Sequence, residues 1–425
     1  MKNFNKNKKL YYTLGAIVLC AIVIVTVIFT SSNIHKANAS NLMNGIMGQS
    51  VKEKYSDDKF INNVTLFSYE LFNKTRAKGE NSLISPMSVM VALSMTANGS
   101  DHETLSQMNS VLAKDIPLEE LNQYLNTYIH HLPENEKTKM RVANSIWYRD
   151  SKDLKINNSF LQTNANYYQS AIFKSPFNNQ TKKDINKWVK TSTDGLIDKM
   201  VDKIDDANIM YLINTVLFDA GWEIIYENNN VGDLTFHNQD GSTSDVRGMH
   251  SMEELYIQDE KATGFMKSYY NNDYRFVALL PNEGISLDDY LNQLTGDKFI
   301  KMMKSVKHEA VVATLPKFKS DYTVTMNNAL MKLGMTNAFS SDNADFSKMG
   351  SSSDGNLYID TVFHKTYISV DELGTKAGAA TKVSMNKASA QMENKVVYLD
   401  RPFFYAIIDT RTNIPIFMGT VNKFQ

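Results

Sequence analysis

The sequence predicts an α+β fold in a single domain that spans residues 40–425. Segments with helical and with strand periodicity follow one another without the regular strand–helix–strand order of a doubly wound sheet. No internal repeat and no Pro-rich or Gly/Ser-rich linker divides the chain, which holds only 8 prolines and 19 glycines. Hydrophobic residues form 43% of the chain and charged residues 21%, a composition that supports a large buried core.

Two helices are predicted near the start of this domain. Apolar residues at every third or fourth position indicate an amphipathic helix over residues 57–78, closed by Gly79 as its C-terminal cap. In the next segment Ser85 is a candidate N-cap and Pro86 a candidate first helical residue. The apolar run that follows, residues 89–97, predicts a helix that is buried on most of its circumference.

Strand signals dominate the rest of the domain. Residues 142–148 alternate with period two, and the nearly continuous apolar run at 209–218 is typical of a central strand. A helical face over residues 183–200 separates these two segments. Shorter strand signals and a C-terminal hairpin follow, at residues 276–280, 311–315, 404–409 and 414–421.

The first 39 residues predict a signal peptide or a membrane anchor. An uncharged apolar run, residues 13–30, follows a lysine-rich start, an arrangement that directs the following chain out of the cytoplasm. Ala37 and Ala39 form the small-x-small pattern of a signal peptidase site, with cleavage before Ser40. We therefore expect a secreted protein, or one anchored at the cell surface by residues 13–30 if the leader is uncleaved. The Asn- and Lys-rich, disulfide-free composition suggests a bacterial source.

Charge and cysteine content exclude several classes of protein. The 45 basic and 46 acidic residues give a net charge of -1, which argues against nucleic-acid binding. The single cysteine, Cys20, lies in the leader, so the domain has no disulfide, cysteine–metal site or thiol nucleophile.

Motifs for catalysis are absent from the sequence. It contains no G-x-S-x-G elbow, H-E-x-x-H zinc motif, phosphate-binding P-loop or G-x-G-x-x-G dinucleotide motif. The adjacent His130 and His131 would point about 100° apart on a helix and make a poor metal pair. We expect no enzyme activity, no metal and no cofactor.

Residues 372–389 carry the most informative pattern. Every second side chain from Thr375 to Met385 is uncharged and either small or apolar, whereas the alternate positions hold polar or small residues. This alternation predicts a half-buried strand. Alanine and glycine are poor strand formers, so a flexible surface loop is the alternative. A strand whose inward side chains are all small would suit a segment that slides between two existing strands.

Together with its surroundings, this segment resembles the hinge and reactive-centre loop of the serpins. The resemblance runs from about residue 55 to Gln425 and is carried by motifs that recur in the family order. They are NSLISPMS at 81–88, ANSIW at 143–147, INKWV at 185–189, LINTVLF at 212–218 before Trp222, LPKF at 315–318, ADFS at 344–347, RPF at 401–403 and FMG at 417–419.

The resemblance implies a serpin fold of three β-sheets and eight or nine helices, with an exposed reactive-centre loop at about residues 372–395. It also implies an inhibitor of serine proteases that acts as a suicide substrate. A protease cleaves the loop, the loop inserts into the main sheet, and the acylated protease is trapped. The alternative within the family is a non-inhibitory serpin that binds or carries a ligand. The implied partners are serine proteases, and the implied state is a monomer.

The family's count of seventeen positions from Glu372 places the reactive bond between Ala388 and Ser389. A small residue there favours elastase-like or subtilisin-like proteases, because pocket size sets preference at this position. If the count slips by one, Lys387 would precede the bond and invite a trypsin-like protease. The hinge residues implied by the resemblance are Glu372, Gly374, Thr375, Ala377, Gly378, Ala379, Ala380 and Thr381.

A second group of residues matches positions that control sheet opening in the family. Glu372 and Lys317 match a pair that restrains early insertion of the loop, and Trp222 matches the tryptophan after the third strand of the main sheet. The run before Trp222, residues 219–221, departs from the family's Lys-Gly pattern. The positions that match the polar cluster under the sheet are Ser85, Ser88, Asn144, Asn214 and His364.

Overall fold

The computed structural model describes residues 39–151, 153–353, 355–375 and 394–424. In these residues it has nine α-helices and eighteen strands, which confirms the predicted α+β class. The helices are α1 (Asp58–Thr75), α2 (Pro86–Ala97), α3 (His102–Ala113), α4 (Leu118–His130), α5 (Asn158–Tyr168), α6 (Asn179–Ser192), α7 (Leu287–Gln293), α8 (Gly296–Lys304) and α9 (Asn327–Leu333). The strands are β1 (Ser40–Asn41), β2 (Ser82–Ile84), β3 (Thr138–Arg149), β4 (Lys155–Ile156), β5 (Ala171–Ser175), β6 (Met210–Gly221), β7 (Val231–His237), β8 (Thr243–Gln258), β9 (Ala262–Ser268), β10 (Tyr274–Pro281), β11 (Lys307–Pro316), β12 (Phe318–Thr325), β13 (Gly350–Ser351), β14 (Thr361–Val370), β15 (Gly374–Thr375), β16 (Lys395–Tyr398), β17 (Phe403–Asp409) and β18 (Pro415–Val421).

The strands of this part of the chain form three sheets. The main sheet has seven strands in the order β1-β5-β3-β6-β15-β14-β12. The second sheet has nine strands in the order β16-β11-β8-β9-β10-β17-β18-β2, with β7 paired to β8. A third sheet contains only β13 and β4. The predicted hairpin near the C-terminus is confirmed, because β17 and β18 pair antiparallel.

Helix α1 begins where the sequence predicts and ends earlier. The Asp57 side chain accepts a hydrogen bond from the Phe60 backbone N–H and caps the N-terminus. The helix ends at Thr75 because Arg76 leaves it with extended backbone angles (φ -61°, ψ 142°). The Arg76 guanidinium forms a buried ion pair with Asp288. Gly79, with φ 71°, lies in the turn beyond and is not the cap, so that prediction was wrong.

Helix α2 lies in the core, as its apolar sequence predicts. All twelve of its residues are buried, and Pro86 occupies its first turn. Ser85 precedes it, but the Ser85 hydroxyl makes no capping hydrogen bond, contrary to the prediction. Ser85 instead contacts the main sheet through its backbone, because its N–H donates to the Nε2 atom of His364 at 3.0 Å.

Helix α6 covers the outer face of the main sheet. It begins in a capping box formed by Asn178 and Thr181, and it ends at Ser192, eight residues before the predicted end. Asp194 ends it in the left-handed region, with φ 49°. Apolar residues of α6, of the segment after it and of β3, β5 and β6 form a separate buried cluster on this face.

The main core lies between the two large sheets and encloses α2. Among the described residues, none of the helices is long and apolar enough to cross a membrane. The same residues contain no group of three or more His, Cys, Asp or Glu side chains that could hold a metal ion.

Candidate functional site

The main sheet is closed at one end and open at the other. Strands β6 and β14 pair in parallel from Tyr211 with Thr361 to Thr215 with Lys365. Beyond these pairs, toward their C-terminal ends, β6 and β14 no longer pair with each other. Residues 216–218 of β6 and 366–369 of β14 therefore flank a gap in the sheet, as far as the described chain shows.

Strand β15 occupies the entrance of this gap. Gly374 pairs with Gly221 and Thr375 pairs with Ala220, both antiparallel to β6. Thr375 also pairs antiparallel with Val370 at the end of β14. The two residues of β15 thus bridge β6 and β14, and the direction of β15 leads into the space between them.

A tight turn reverses the chain between β14 and β15. The Asp371 N–H donates to the Gly374 carbonyl at 2.9 Å, and the Leu373 N–H donates to the Asp371 carboxylate at 2.9 Å. An aspartate that binds the backbone two residues ahead is a common way to set a turn. The turn fixes the point at which the chain re-enters the sheet.

Gly374 is required by the close approach of β15 to β6. A Cβ atom at this position would lie 2.2 Å from the Ala220 carbonyl oxygen and 2.7 Å from the Gly221 Cα atom. Both are backbone atoms of a central strand and cannot move aside at low cost. Any larger residue at position 374 would therefore displace the start of β15.

Thr375 is fully buried at the end of β15. Its hydroxyl lies 2.5 Å from the hydroxyl of Tyr269, which is also buried. Burial raises the pKa of Tyr269 well above its usual value, so this phenol is neutral and can donate or accept. The Tyr269 ring stacks on Trp222, with ring centroids 4.3 Å apart.

Trp222 fastens the turn between β14 and β15. Its indole Nε1–H donates to the Asp371 carbonyl at 2.8 Å, and its backbone N–H donates to the Leu373 carbonyl at 2.9 Å. The Tyr226 N–H makes a third bond of this kind, to the Glu372 carbonyl at 3.0 Å. The segment just after β6 therefore holds the hinge from outside the sheet.

Lys317 and Glu372 form the ion pair that the sequence predicts at this end of the sheet. The Lys317 Nζ atom lies 2.5 Å from the Glu372 carboxylate, and each side chain is about one-third exposed. The hydrogen bond from Lys317 lowers the pKa of Glu372. An ion pair with this exposure contributes at most about 1 kcal/mol.

A buried polar cluster joins the strands at the closed end of the gap. Asn144 of β3, Asn214 of β6 and His364 of β14 stand in register across the three strands. Ser88 of α2 lies beneath them, and its hydroxyl donates to the Asn214 side-chain oxygen at 2.7 Å. The cluster is placed where β6 and β14 would have to separate if a strand entered between them.

All four hydrogen-bonding positions of the Asn214 amide are filled. Its nitrogen donates to the Ser88 carbonyl at 2.9 Å and to the Asn144 side-chain oxygen at 2.5 Å. Its oxygen accepts from Ser88 and lies 2.5 Å from the Nδ1 atom of His364. Separation of the strands would break part of this network in the interior, where unpaired polar groups are costly.

The hydrogen bonds of His364 define its protonation state. Its Nε2 atom accepts from the Ser85 N–H, so the proton of the neutral ring is on Nδ1 and donates to Asn214. Burial lowers the pKa of His364 to about 3. Ser85 takes part through its backbone, and its buried hydroxyl has no partner among the described residues.

The structure brings the sheet-opening residues into two groups and leaves part of the predicted site undescribed. Ser85, Ser88, Asn144, Asn214 and His364 form the closed-end cluster, and Lys317, Trp222, Glu372, Gly374 and Thr375 form the gap entrance. Residues 1–38 of the predicted leader, which spans residues 1–39, lie outside the described residues. The other hinge and reactive-bond positions also lie outside them, at Ala377, Gly378, Ala379, Ala380, Thr381, Lys387, Ala388 and Ser389.

Sequence reasoning missed three residues at the entrance. Tyr269, which binds Thr375, is one of 21 tyrosines, and no motif singles it out. Lys267 and Glu253 form a buried ion pair at 2.9 Å. The Lys267 ammonium also lies over the rings of Trp222 and Tyr226, at 5.5 and 4.4 Å from their centroids. Glu253 lies in β8, Lys267 in β9 and Trp222 just after β6, so only the folded structure brings these side chains together.

Comparisons with known proteins agree with this architecture. The family described as "Serpin (serine protease inhibitor)" matches residues 62–424. The chain is 52% identical to the thermophilic serpin tengpin; its native-state structure superposes with a TM-score of 0.88 over 91% of this chain and 100% of that chain. The latent-state structure of tengpin gives a TM-score of 0.79 over 88% of this chain and 100% of that chain. Serpin B10 of Sorex araneus is 27% identical over 85% of this chain and 98% of its own length. The predicted serpin fold is confirmed, and the chain belongs to the serpin family of serine protease inhibitors.

Proposed function

We propose that this protein inhibits serine proteases as a suicide substrate. A protease would cleave the reactive-centre loop, and the part of the loop that precedes the cut would insert between β6 and β14. The acylated protease would be carried along and distorted before water could release it. The observation that carries this proposal is the position of Thr375, buried at the entrance of the gap on a strand that leads into it.

The sheet supplies a driving force for insertion. A strand that enters the gap gains hydrogen-bonded neighbours on both sides and loses only the short parallel pairing of β6 with β14. A net gain of ten or more hydrogen bonds at about 1 kcal/mol each would make insertion a one-way step. Tengpin has been solved in a native and a latent state, which supports the proposal that this fold can adopt two different conformations. This chain superposes better on the native state.

Insertion must be faster than deacylation, which proceeds at about 1–1,000 per second in typical enzymes. Thr375 continues into Ala377, Ala379 and Thr381 at the inward positions, all of them small and uncharged. Such side chains can enter the sheet without burying a charge. This pattern supports an inhibitor over a serpin that only binds or carries a ligand.

The proposed reactive bond is Ala388–Ser389, and the proposed targets are elastase-like or subtilisin-like proteases. Lys387–Ala388 with a trypsin-like target is the second choice. We further propose that the protein is bacterial and acts outside the cytoplasm, either free after cleavage before Ser40 or held by residues 13–30. It would act as a monomer.

The test incubates residues 40–425 with elastase, subtilisin and trypsin in turn and separates the products on a denaturing gel. We expect a covalent complex that survives SDS, and a released fragment whose N-terminus is Ser389 by mass spectrometry. Cleavage without any covalent complex would contradict inhibition and support the ligand-binding alternative. A different fragment N-terminus would refute only the assigned bond.

A further inference from the structure

Asp360 ties together the two strands that flank the gap, at the end of the sheet opposite the entrance. It directly precedes β14, whose first residue, Thr361, pairs with Tyr211 of β6. The Asp360 carboxylate accepts hydrogen bonds from the N–H groups of Ile209 at 2.5 Å and of Met210 at 2.7 Å. The Asp360 N–H in turn donates to the Met210 carbonyl at 3.0 Å. We call these three hydrogen bonds the Asp360 bridge.

The register of the main sheet lets a strand enter between β6 and β14 without a shift. Thr375 pairs with Ala220 on one side and with Val370 on the other, and these two partners lie 150 positions apart in the chain. The parallel pairs of β6 with β14 have the same spacing, since Tyr211 pairs with Thr361. A strand that continues from Thr375, antiparallel to β6, therefore meets both strands in rows that already exist.

The Asp360 bridge occupies the last of these rows. In β6, Met210 lies ten residues before Ala220, the partner of Thr375. On the other side, Asp360 lies ten residues before Val370, the second partner of Thr375. A strand that extends ten residues beyond Thr375 must therefore pass between Met210 and Asp360. The proposed reactive bond follows three residues later, so full insertion of the loop requires these two residues to separate.

Entry of a strand in this row breaks the bridge. Neighbouring strands lie about 4.8 Å apart, so a strand between β6 and β14 increases their separation to about 10 Å. The bridge consists of hydrogen bonds of 2.5–3.0 Å, which cannot span the added distance. Hydrogen bonds to a carboxylate are about twice as strong as neutral ones. Asp360 therefore adds to the resistance that full insertion must overcome.

The other contacts of Asp360 do not cross the gap. The side-chain amide of Asn327, the first residue of α9, donates to the Asp360 carbonyl at 2.7 Å. The Asn327 side-chain oxygen accepts from the Val362 N–H of β14 at 3.0 Å. These bonds join β14 to α9 and can persist when β14 moves away from β6. The bridge is thus the part of this network that insertion must break.

We infer that the Asp360 bridge restrains full insertion of the reactive-centre loop, and that it is present in the uncut protein and broken once the loop is inserted. The inference rests on the inhibitory function proposed above. The bridge holds the far end of the uncut sheet closed, so that entry of the hinge does not proceed to full insertion before a cut. Asp360 acts through the position of β14 and is a positioning residue.

The test compares the melting temperatures of uncut protein and of protein cut once in the reactive-centre loop. Asp360→Ala leaves two backbone N–H groups without their acceptor, so its uncut form should melt about 5 °C below uncut wild type. Its cut form should melt as cut wild type does, because the bridge is already broken there. Both N–H groups bind the same oxygen, Oδ2, so Asp360→Asn can keep both bonds and should melt as wild type does in both forms.

Asp259→Ala is the matched control. The Asp259 carboxylate also accepts from two backbone N–H groups, those of Lys261 at 2.7 Å and of Ala262 at 2.8 Å, in the turn between β8 and β9. Insertion between β6 and β14 does not separate these groups. The control should therefore lower the melting temperatures of the uncut and the cut form alike.

Equal losses in the uncut and cut forms of Asp360→Ala, as in the control, would overturn the inference, and so would an uncut form that melts as wild type does. If Asp360→Ala does not fold, Asp360→Ser replaces it, since a hydroxyl can accept one of the two bonds; about half the loss is then expected, again in the uncut form alone. Wild type that melts at one temperature before and after the cut would instead refute insertion itself, and with it the proposed function.

Discussion

The hydroxyl of Thr375 lies 2.5 Å from the hydroxyl of Tyr269, in the interior at the entrance of the gap between β6 and β14. The ladder pairs of Thr375 with Ala220 and Val370 hold it on both sides. The first inward position of the hinge is therefore already inside the sheet. Because it is enclosed, a change of this side chain acts directly on the step at which the loop enters.

Thr375→Arg should convert the inhibitor into a substrate. Arginine would keep its charge in water by drawing β15 out of the sheet, so that insertion of the cut loop must then bury an unpaired charge at a cost of several kcal/mol. Each 1.4 kcal/mol added to the insertion barrier slows insertion about ten-fold. Deacylation would then finish first. A denaturing gel should show cleaved protein with little covalent complex; an undiminished complex would contradict the role of Thr375.

Thr375→Val separates size from hydrogen bonding at the same position. Valine fits the space but removes the bond to Tyr269 and leaves that phenol unpaired. The expected cost is about 1–3 kcal/mol in the intact protein, visible as a lower melting temperature. Trapping of protease should persist, since no charge is buried. Loss of trapping equal to that in Thr375→Arg would show that the hydroxyl, rather than the absence of charge, is what matters.

Gly374→Ala should displace β15 from β6. The added Cβ atom would meet the Ala220 carbonyl oxygen at 2.2 Å, and overpacking of this kind costs about 1–3 kcal/mol. We expect a lower melting temperature and faster proteolysis of the hinge. The matched control is Gly232→Ala, where the nearest atom would lie at 3.5 Å, an ordinary contact. Equal melting of both variants would argue against the close approach.

His364 should make the stability of the intact protein depend on pH. Its pKa is about 3 in the folded protein and about 6.5 in an unfolded chain, so only the unfolded chain takes up a proton between these values. Above about pH 6.5 the titration of His364 does not change the free energy of unfolding. As the pH drops below that value, the free energy of unfolding falls by up to about 1.4 kcal/mol per pH unit. The comparison is urea unfolding of wild type and His364→Gln from pH 7.5 to 5. Parallel pH profiles would exclude His364 as the cause.

The loss of one partner of the buried ion pair Lys267–Glu253 should lower the free energy of unfolding more than the loss of one partner of an exposed ion pair. Its side chains are 4% and 11% exposed, and removal of one partner leaves the other charge buried. Lys267→Met should destabilise the protein by about 3–5 kcal/mol. The control is Lys190→Met, which breaks a pair with side chains 60% and 72% exposed and should cost less than about 1 kcal/mol. Urea unfolding of the two variants measures the difference, and similar losses would contradict the burial argument.

Much of the fold follows from local patterns in the sequence. The continuous apolar run of β6 and the apolar circumference of α2 predict buried elements because most residues of such a segment are themselves apolar. The ends of helices are harder to predict from the sequence. Helix α1 stops at Arg76, whose side chain binds Asp288 from a distant helix, and no local pattern reports that contact.

The site was predictable only in part. The polar residues of the closed-end cluster are recognisable because they stand at family motif positions, but their hydrogen bonds depend on the register of three strands. Ser85 illustrates the limit, since its sequence context indicates a side-chain cap whereas its backbone N–H serves His364. Tyr269 is a further case, because its contact with Thr375 joins residues 106 positions apart.

Calorimetry before and after a single cut in the reactive-centre loop tests the stored energy of this sheet most directly. If the freed strand fills the space between β6 and β14, a gain of about 10 kcal/mol should raise the melting temperature by about 10 °C or more for a domain of this size. Identical melting of the cut and uncut protein would mean that no strand enters, and the proposed mechanism would be wrong.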